Sequence, residues 1–173
     1  MQKKYLKIII LSVAAFLSLI AFILFAAPFL TIRAGFLESS ASGFNLAFDF
    51  GSFSSQGKYI PDGGSIFGVL ISFALTLGAL GGAIAALITA IMIATGKMKR
   101  KQQTADQQTT QMIISIVCAV ILGFVPLILN ILTPQTTGYG NNPYASAGVG
   151  GIISGILVLL AEGLIAATNF IKE

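Results

Sequence analysis

Residues 8–32 read IIILSVAAFLSLIAFILFAAPFLTI, an uncharged run closed by Lys7 on one side and Arg33 on the other. A bilayer core about 30 Å thick is crossed by about 20 apolar residues in a helix, since each residue rises about 1.5 Å. This stretch is long enough to cross. The same test applied outward finds Gly63 to Gly96 uncharged between Asp62 and Lys97, and Gln107 to Ala161 uncharged but divided by polar and turn residues from Thr133 to Ser146. The pattern predicts an all-α integral membrane protein: a bundle of four transmembrane helices at about 8–30, 65–95, 112–132 and 147–170, forming one domain over 1–173. Outer loops then cover 31–64 and 133–146, and a cytoplasmic loop covers 96–111. Lys3, Lys4 and Lys7 imitate the start of a secretory signal. However, the run behind them is too long, and Pro28 follows Ala26-Ala27 where cleavage would fall, so the first helix is expected to stay uncleaved.

Composition agrees across the chain. Of 173 residues, 55% are hydrophobic and 9% charged, with a mean hydropathy of +0.91; a soluble domain carries about 25% charged residues. There is no histidine and one cysteine, Cys118. Histidine bases, histidine metal sites, disulfide frameworks and paired-cysteine redox centres are thereby excluded. No nucleotide-binding or metal-spacing motif occurs, and the ionisable inventory is thin for acid–base chemistry. The expectation is a non-enzyme with no cofactor and no metal.

Orientation follows from where the basic residues fall. Lys3, Lys4, Lys7, Lys97, Lys99, Arg100, Lys101 and Lys172 lie on one side of the predicted spans, and Arg33 and Lys58 on the other. Both termini and loop 96–111 are expected on the cytoplasmic side of a cell membrane. The net charge of +4 is this sorting signal, with no call for nucleic acid. The central loop from Lys97 to Gln111, a basic cluster running into a Gln- and Thr-rich stretch from Gln102, has no apolar face and reads as a solvated connector. The outer loops carry no glycosylation sequon and no cysteine, which points to a bacterial surface.

The first outer loop is large enough to fold. Phe44, Leu46, Phe48 and Phe50 alternate with Asn45, Ala47 and Asp49, a period of two that predicts a half-buried strand. Thr31 to Leu37 would be its antiparallel partner in a small β-hairpin, with Glu38 to Gly43 as the turn. The phenylalanine face would rest on the outer end of the bundle, meet a partner protein or dip into the outer leaflet. In the second outer loop, Tyr139 and Tyr144 read as interfacial anchors.

Small residues let helix backbones approach in lipid. Gly78, Gly82, Ala86, Ala90 and Ala94 recur every four residues on the second helix. Gly148, Gly151, Gly155, Glu162, Ala166 and Asn169 share an arc of the fourth. Both stripes predict helix packing within one bundle or against another subunit. Glu162 lies about 12 Å deep at about 1.5 Å per residue. A carboxyl group there is costly and faces the bundle interior, protonated or paired. Thr89, Ser115 and Cys118 are expected at comparable depth as hydrogen-bond partners, which makes Glu162, Thr89 and Ser115 the intramembrane polar site.

Four spans with both termini on one side, a first outer loop with strand character and a shorter second loop resemble the claudin and peripheral-myelin-protein class. Phe29-Leu30-Thr31-Ile32-Arg33 leaving the first helix, and Gly43-Phe44-Asn45-Leu46-Ala47-Phe48, carry the resemblance. Claudins have a Trp…Gly-Leu-Trp…Cys…Cys signature in that loop; this chain has no tryptophan and no outer cysteine, so no family site residue transfers. The overall pattern is also similar to small uncharacterised bacterial tetraspan proteins. The resemblance implies adhesion or pore formation. The expected function is a structural or interaction subunit presenting its first outer loop, partnered by the bilayer, by other membrane subunits or by further copies of itself. The alternative is a small transporter or channel component using Glu162 as a proton or cation site.

Overall fold

The structure, a computed structural model, describes residues 2–34, 37–48, 63–98, 105–132 and 144–171. Helix α1 (Gln2–Ile23) continues into a 3-10 turn (Leu24–Ala26), then strands β1 (Pro28–Ala34) and β2 (Leu37–Ser42), and a short helix α2 (Gly43–Phe48). The long helices α3 (Gly63–Ala94) and α4 (Ala105–Leu132) follow, then strand β3 (Tyr144–Ala147), helix α5 (Val149–Ala167) and a last 3-10 turn (Thr168–Phe170). Within them, Lys4–Ala26, Phe67–Ala94, Asp106–Leu132 and Val149–Phe170 are four segments long and apolar enough to cross a membrane.

The helix ends have local causes. The first helix was expected to reach residue 30 but stops at the 3-10 turn, because Pro28 lacks an amide hydrogen and disfavours helical geometry in the residue before it. Ala27 is accordingly extended, at φ −81° and ψ 168°. Gly96, at φ 75°, closes α3. At the start of α4, the stretch expected as a connector is helical from Ala105. Asp106 lies in that first turn, where a carboxylate favours the positive end of the helix dipole, and Thr110 donates to the Asp106 carbonyl at 2.9 Å. Residues 106–111 are exposed. They need no apolar face, because the apolar remainder of α4 already supplies the nucleus that a helix requires.

Around the bundle, α1 packs on α3, α3 on α4, α4 on α5 and α5 back on α1, with a lesser contact across the α3–α5 diagonal. Along α1 and its 3-10 turn the buried positions are Leu11, Ala14, Ser18, Ala21 and Phe25, and on α3, beside Gly68, they are Val69, Ser72, Thr76, Ala79 and Ala83. Both series alternate steps of three and four. That is the 3.5-residue repeat of helices packing side chain into gap at a shallow angle. Ile9, Val13, Phe16 and Ile23 point outward from α1, as do Ile113, Val117, Val120 and Phe124 from α4. The outward faces of these long helices are therefore apolar along most of their length, the arrangement of a multi-pass membrane protein rather than one folded in water.

A three-stranded antiparallel sheet in the order β2-β1-β3 lies at one end. The pair β1–β2 runs in register from Leu30↔Ala41 to Ala34↔Leu37. The residues expected to form the hairpin turn, Glu38 to Ser42, are thus strand β2. The third strand comes from the segment before α5: β3 pairs with β1 from Leu30↔Ala147 to Arg33↔Tyr144.

Candidate functional site

At the sheet end, the segment expected as a phenylalanine strand is helix α2. Its start is capped by Ser42, whose Oγ accepts a hydrogen bond from the Asn45 amide at 3.1 Å. Gly43, Leu46 and Ala47 are buried, a spacing of three and four that fits a helix and not a strand. A Cβ on Gly43 would lie 2.6 Å from Phe25 Cδ1, so only glycine lets the helix press this close. Leu46 and Ala47 join Phe25, Phe29, Ala41 and Val69 in one apolar cluster. Phe44 and Phe48, four residues apart, both meet the Phe73 ring edge-on, with centroids at 5.9 and 5.1 Å. Asn45 is exposed, and Phe48 remains 63% exposed despite its contact with Phe73. The period of two therefore corresponds to two helical faces, and Phe50 lies outside the described residues.

The start of α5 locks the sheet onto the bundle. The Gly148 amide donates to the Phe29 carbonyl at 2.9 Å, extending the β1–β3 ladder to the helix. A Cβ on Gly148 would collide with the Pro28 carbonyl oxygen; one on Gly150 would lie 2.7 Å from Ala27 Cβ, and one on Gly151 3.2 Å from the Phe29 ring. Further along, α4 and α5 exchange leucines into glycine gaps. A Cβ on Gly155 would lie 2.7 Å from Leu127 Cα, and one on Gly123 3.0 Å from Leu159 Cα. Gly151 and Gly155 thus sit at close backbone contacts, as small residues do between membrane helices.

The stripe expected on α3 lies elsewhere. Gly78 and Gly82 are exposed and Ala86 is half-buried. A Cβ on Gly82 would meet nothing within 4 Å, and one on Gly78 would meet only Leu122, at 3.9 Å. A repeat of four drifts across the face of a helix, whereas the inward face of α3 follows the three-four alternation from Val69 to Ala83.

Glu162 is 5% exposed, in the bundle interior. The groups expected around it bond elsewhere or lie exposed. Thr89 is exposed and donates to the Ala85 carbonyl of its own helix at 2.8 Å. The Ser115 hydroxyl accepts from Asn169 Nδ2 at 2.8 Å, two helical turns beyond Glu162, and Cys118 is exposed. The interior polar groups are instead Ser18 on α1, Ser72 and Thr76 on α3, Asn130 on α4 and Ser154 on α5, all at most 3% exposed. Ser154 donates to the Ala21 carbonyl at 2.9 Å, and Asn130 Nδ2 to the Gly151 carbonyl at 2.9 Å. Among the described residues, Ser18 Oγ, Ser72 Oγ, Thr76 Oγ1, Asn130 Oδ1 and Glu162 Oε1 are buried atoms with no hydrogen-bond partner. Ser18, Ser72 and Thr76 carry a sequence signal in their place on the three-four repeat, which the count of small residues every four positions passes over.

Among the described residues, no three histidine, cysteine, aspartate or glutamate side chains come together as a metal site. Comparison with protein families, with curated proteins and with solved structures gives no match to this chain.

Proposed function

We propose that this protein is a non-enzymatic structural or interaction subunit of a bacterial cytoplasmic membrane, offering its sheet end to other membrane proteins in the manner of a claudin-like tetraspan. The observation that supports this most directly is the construction of that end. Strands from two segments far apart in the chain form one sheet, tied to α5 by the Gly148–Phe29 bond. Beside it, α2 presents the Phe48 ring, 63% exposed. A preorganised surface with an aromatic anchor suits protein contact, because little ordering entropy is lost on binding. The lysine and arginine asymmetry supports an outward-facing sheet with both termini in the cytoplasm.

The test is site-specific photocrosslinking in native membranes with a benzophenone amino acid at Phe48, and at Ile9 on the lipid-facing side of α1 as a control. Position 48 should give a discrete protein adduct and position 9 none. Lipid adducts alone at position 48 would show a ring dipping into the bilayer and would remove the interaction reading.

A further inference from the structure

Hydroxyls on the outside of this bundle satisfy themselves. Thr89, Thr95 and Thr110 donate to carbonyls four residues back on their own helices, at 2.8, 2.9 and 2.9 Å, the usual solution for a helical hydroxyl in a dry environment. Ser72 and Thr76 on α3 do not. Both are fully buried, and neither oxygen has a partner. Four residues apart on one helix, they are neighbours on one face. A third unpartnered atom is Asn130 Oδ1, on a side chain whose Nδ2 already donates to the Gly151 carbonyl. Buried polar groups in folded proteins are paired, with protein or with ordered water.

Contacts between the helices bring these three groups to one level. On one flank of α3, Phe73 meets Phe22 and Phe25 at the end of α1; on the other, Gly78 faces Leu122 of α4. Ser72, Thr76 and Ala79 lie on the arc between, which turns them toward α5 across the diagonal. Ala79 shares a buried cluster with Val158 of α5, and both helices run away from the sheet. Three and four residues back toward the sheet stand Thr76 and Ser154; seven back on both stand Ser72 and Gly151, the residue that holds Asn130. The α3–α4 contact gives the same level independently. Six residues toward the sheet from Gly78 and Leu122 are Ser72 and Ile128, and Asn130 is about 3 Å further at about 1.5 Å per residue. The side chains close that step, because each leans toward the N-terminus of its own helix and the two helices are antiparallel.

The other two unpartnered atoms lie elsewhere. The Ser154–Ala21 bond sets Ser18 about one turn further from the sheet, level with Leu157. Glu162 is about 12 Å past Ser154 at about 1.5 Å per residue, on the face that meets α4 through Gly155 and Leu159.

The groups at the shared level define the ligand. Ser72 and Thr76 offer hydroxyl protons. Asn130 Oδ1 accepts, and so does Ser154 Oγ, whose own proton goes to the Ala21 carbonyl. No charged residue occurs from Ile8 to Ile32, from Gly63 to Gly96 or from Gln107 to Ala161, so an ion would bring a charge that nothing at this level balances. Water donates two hydrogen bonds and accepts two, and when buried it takes two to four polar partners.

We propose that buried water is bound between Ser72 and Thr76 of α3, Asn130 of α4 and Ser154 of α5. It donates to Asn130 Oδ1 and Ser154 Oγ and accepts from the two hydroxyls, so that α3 is held to the α4–α5 pair by hydrogen bonds as well as by packing. The site lies inside the bundle and is independent of the interaction function proposed above.

Water-edited solid-state NMR on the full-length chain in lipid bilayers tests the site. Magnetisation that starts on water should reach the Asn130 side-chain amide at short mixing times, and should not reach the outward-facing Ile113 and Val117 of α4. Transfer to Asn130 should fall severalfold in Thr76→Val, which keeps the shape of the side chain and removes its hydroxyl. The thermal unfolding midpoint supplies a second readout through its sign. A hydroxyl bonded to water is missed, so Thr76→Val should lower the midpoint; removing a hydroxyl with no partner at all would raise it. The proposal is overturned by absent transfer at Asn130, by transfer unchanged in Thr76→Val and Ser72→Ala, or by a raised midpoint in Thr76→Val. A wild-type midpoint higher in sodium chloride than in choline chloride at equal concentration would also overturn it, in favour of a cation. Should Thr76→Val not fold, Ser72→Ala is read by the same two measurements.

Discussion

Gly148 and Gly82 illustrate how differently two glycines of one bundle are used. A Cβ on Gly148 would strike the Pro28 carbonyl oxygen, and that backbone cannot yield without shifting β1. Gly148→Ala should therefore lower stability by about 1–3 kcal/mol, the range for overpacking a close contact. Around Gly82 there is open space, so Gly82→Ala should be neutral or stabilising by up to about 1 kcal/mol, through helix propensity alone. Thermal unfolding of the two variants in one detergent checks both; equal effects would mean that the sheet does not bear on α5 through Gly148. Ser42→Ala belongs with them: losing the cap on the Asn45 amide should cost about 1 kcal/mol.

For single elements, α2 is the segment where pattern and structure part. Alternation of Phe44, Leu46 and Phe48 with smaller or polar residues fits a strand equally well until neighbours are known. Ser42 capping the helix and the Gly43, Leu46 and Ala47 face seated on Phe25 and Phe29 settle it as helical. Single cysteines at 45, 46, 47 and 48, in a Cys118→Ala background, should label with maleimide at 45 and 48 and resist at 46 and 47. Labelling at 45 and 47 with protection at 46 and 48 would restore the strand. Phe73 meets both the Phe44 and the Phe48 ring of α2, so Phe73→Ala should destabilise by about 3 kcal/mol, the low end for a phenylalanine truncation because the ring is only partly buried.

Across the whole molecule, the proposed orientation places the sheet outside and the termini inside. Cysteines at Asn45 and Thr110, both exposed and near opposite ends of the bundle, report on it directly in the Cys118→Ala background. In intact cells an impermeant maleimide should modify Asn45→Cys and leave Thr110→Cys untouched until the membrane is opened. The reverse pattern would invert the topology and place the exposed Phe48 ring in the cytoplasm.

Four spans and a buried Glu162 were legible in the chain because lipid partitioning sums local composition over about 20 residues, and a carboxyl within such a run has few places to go. The inward face of each helix was much less legible. In water an apolar stripe betrays the core, but in lipid both faces of α3 are apolar or small, so Gly78, Gly82 and Ala86 read as well as Ser72, Thr76 and Ala79. Folding decides between them through the three-four repeat that matches α1 to α3 along their length. The third strand was hidden for a different reason: Tyr144 to Ala147 has no alternation of its own and becomes a strand only because β1 offers it an edge.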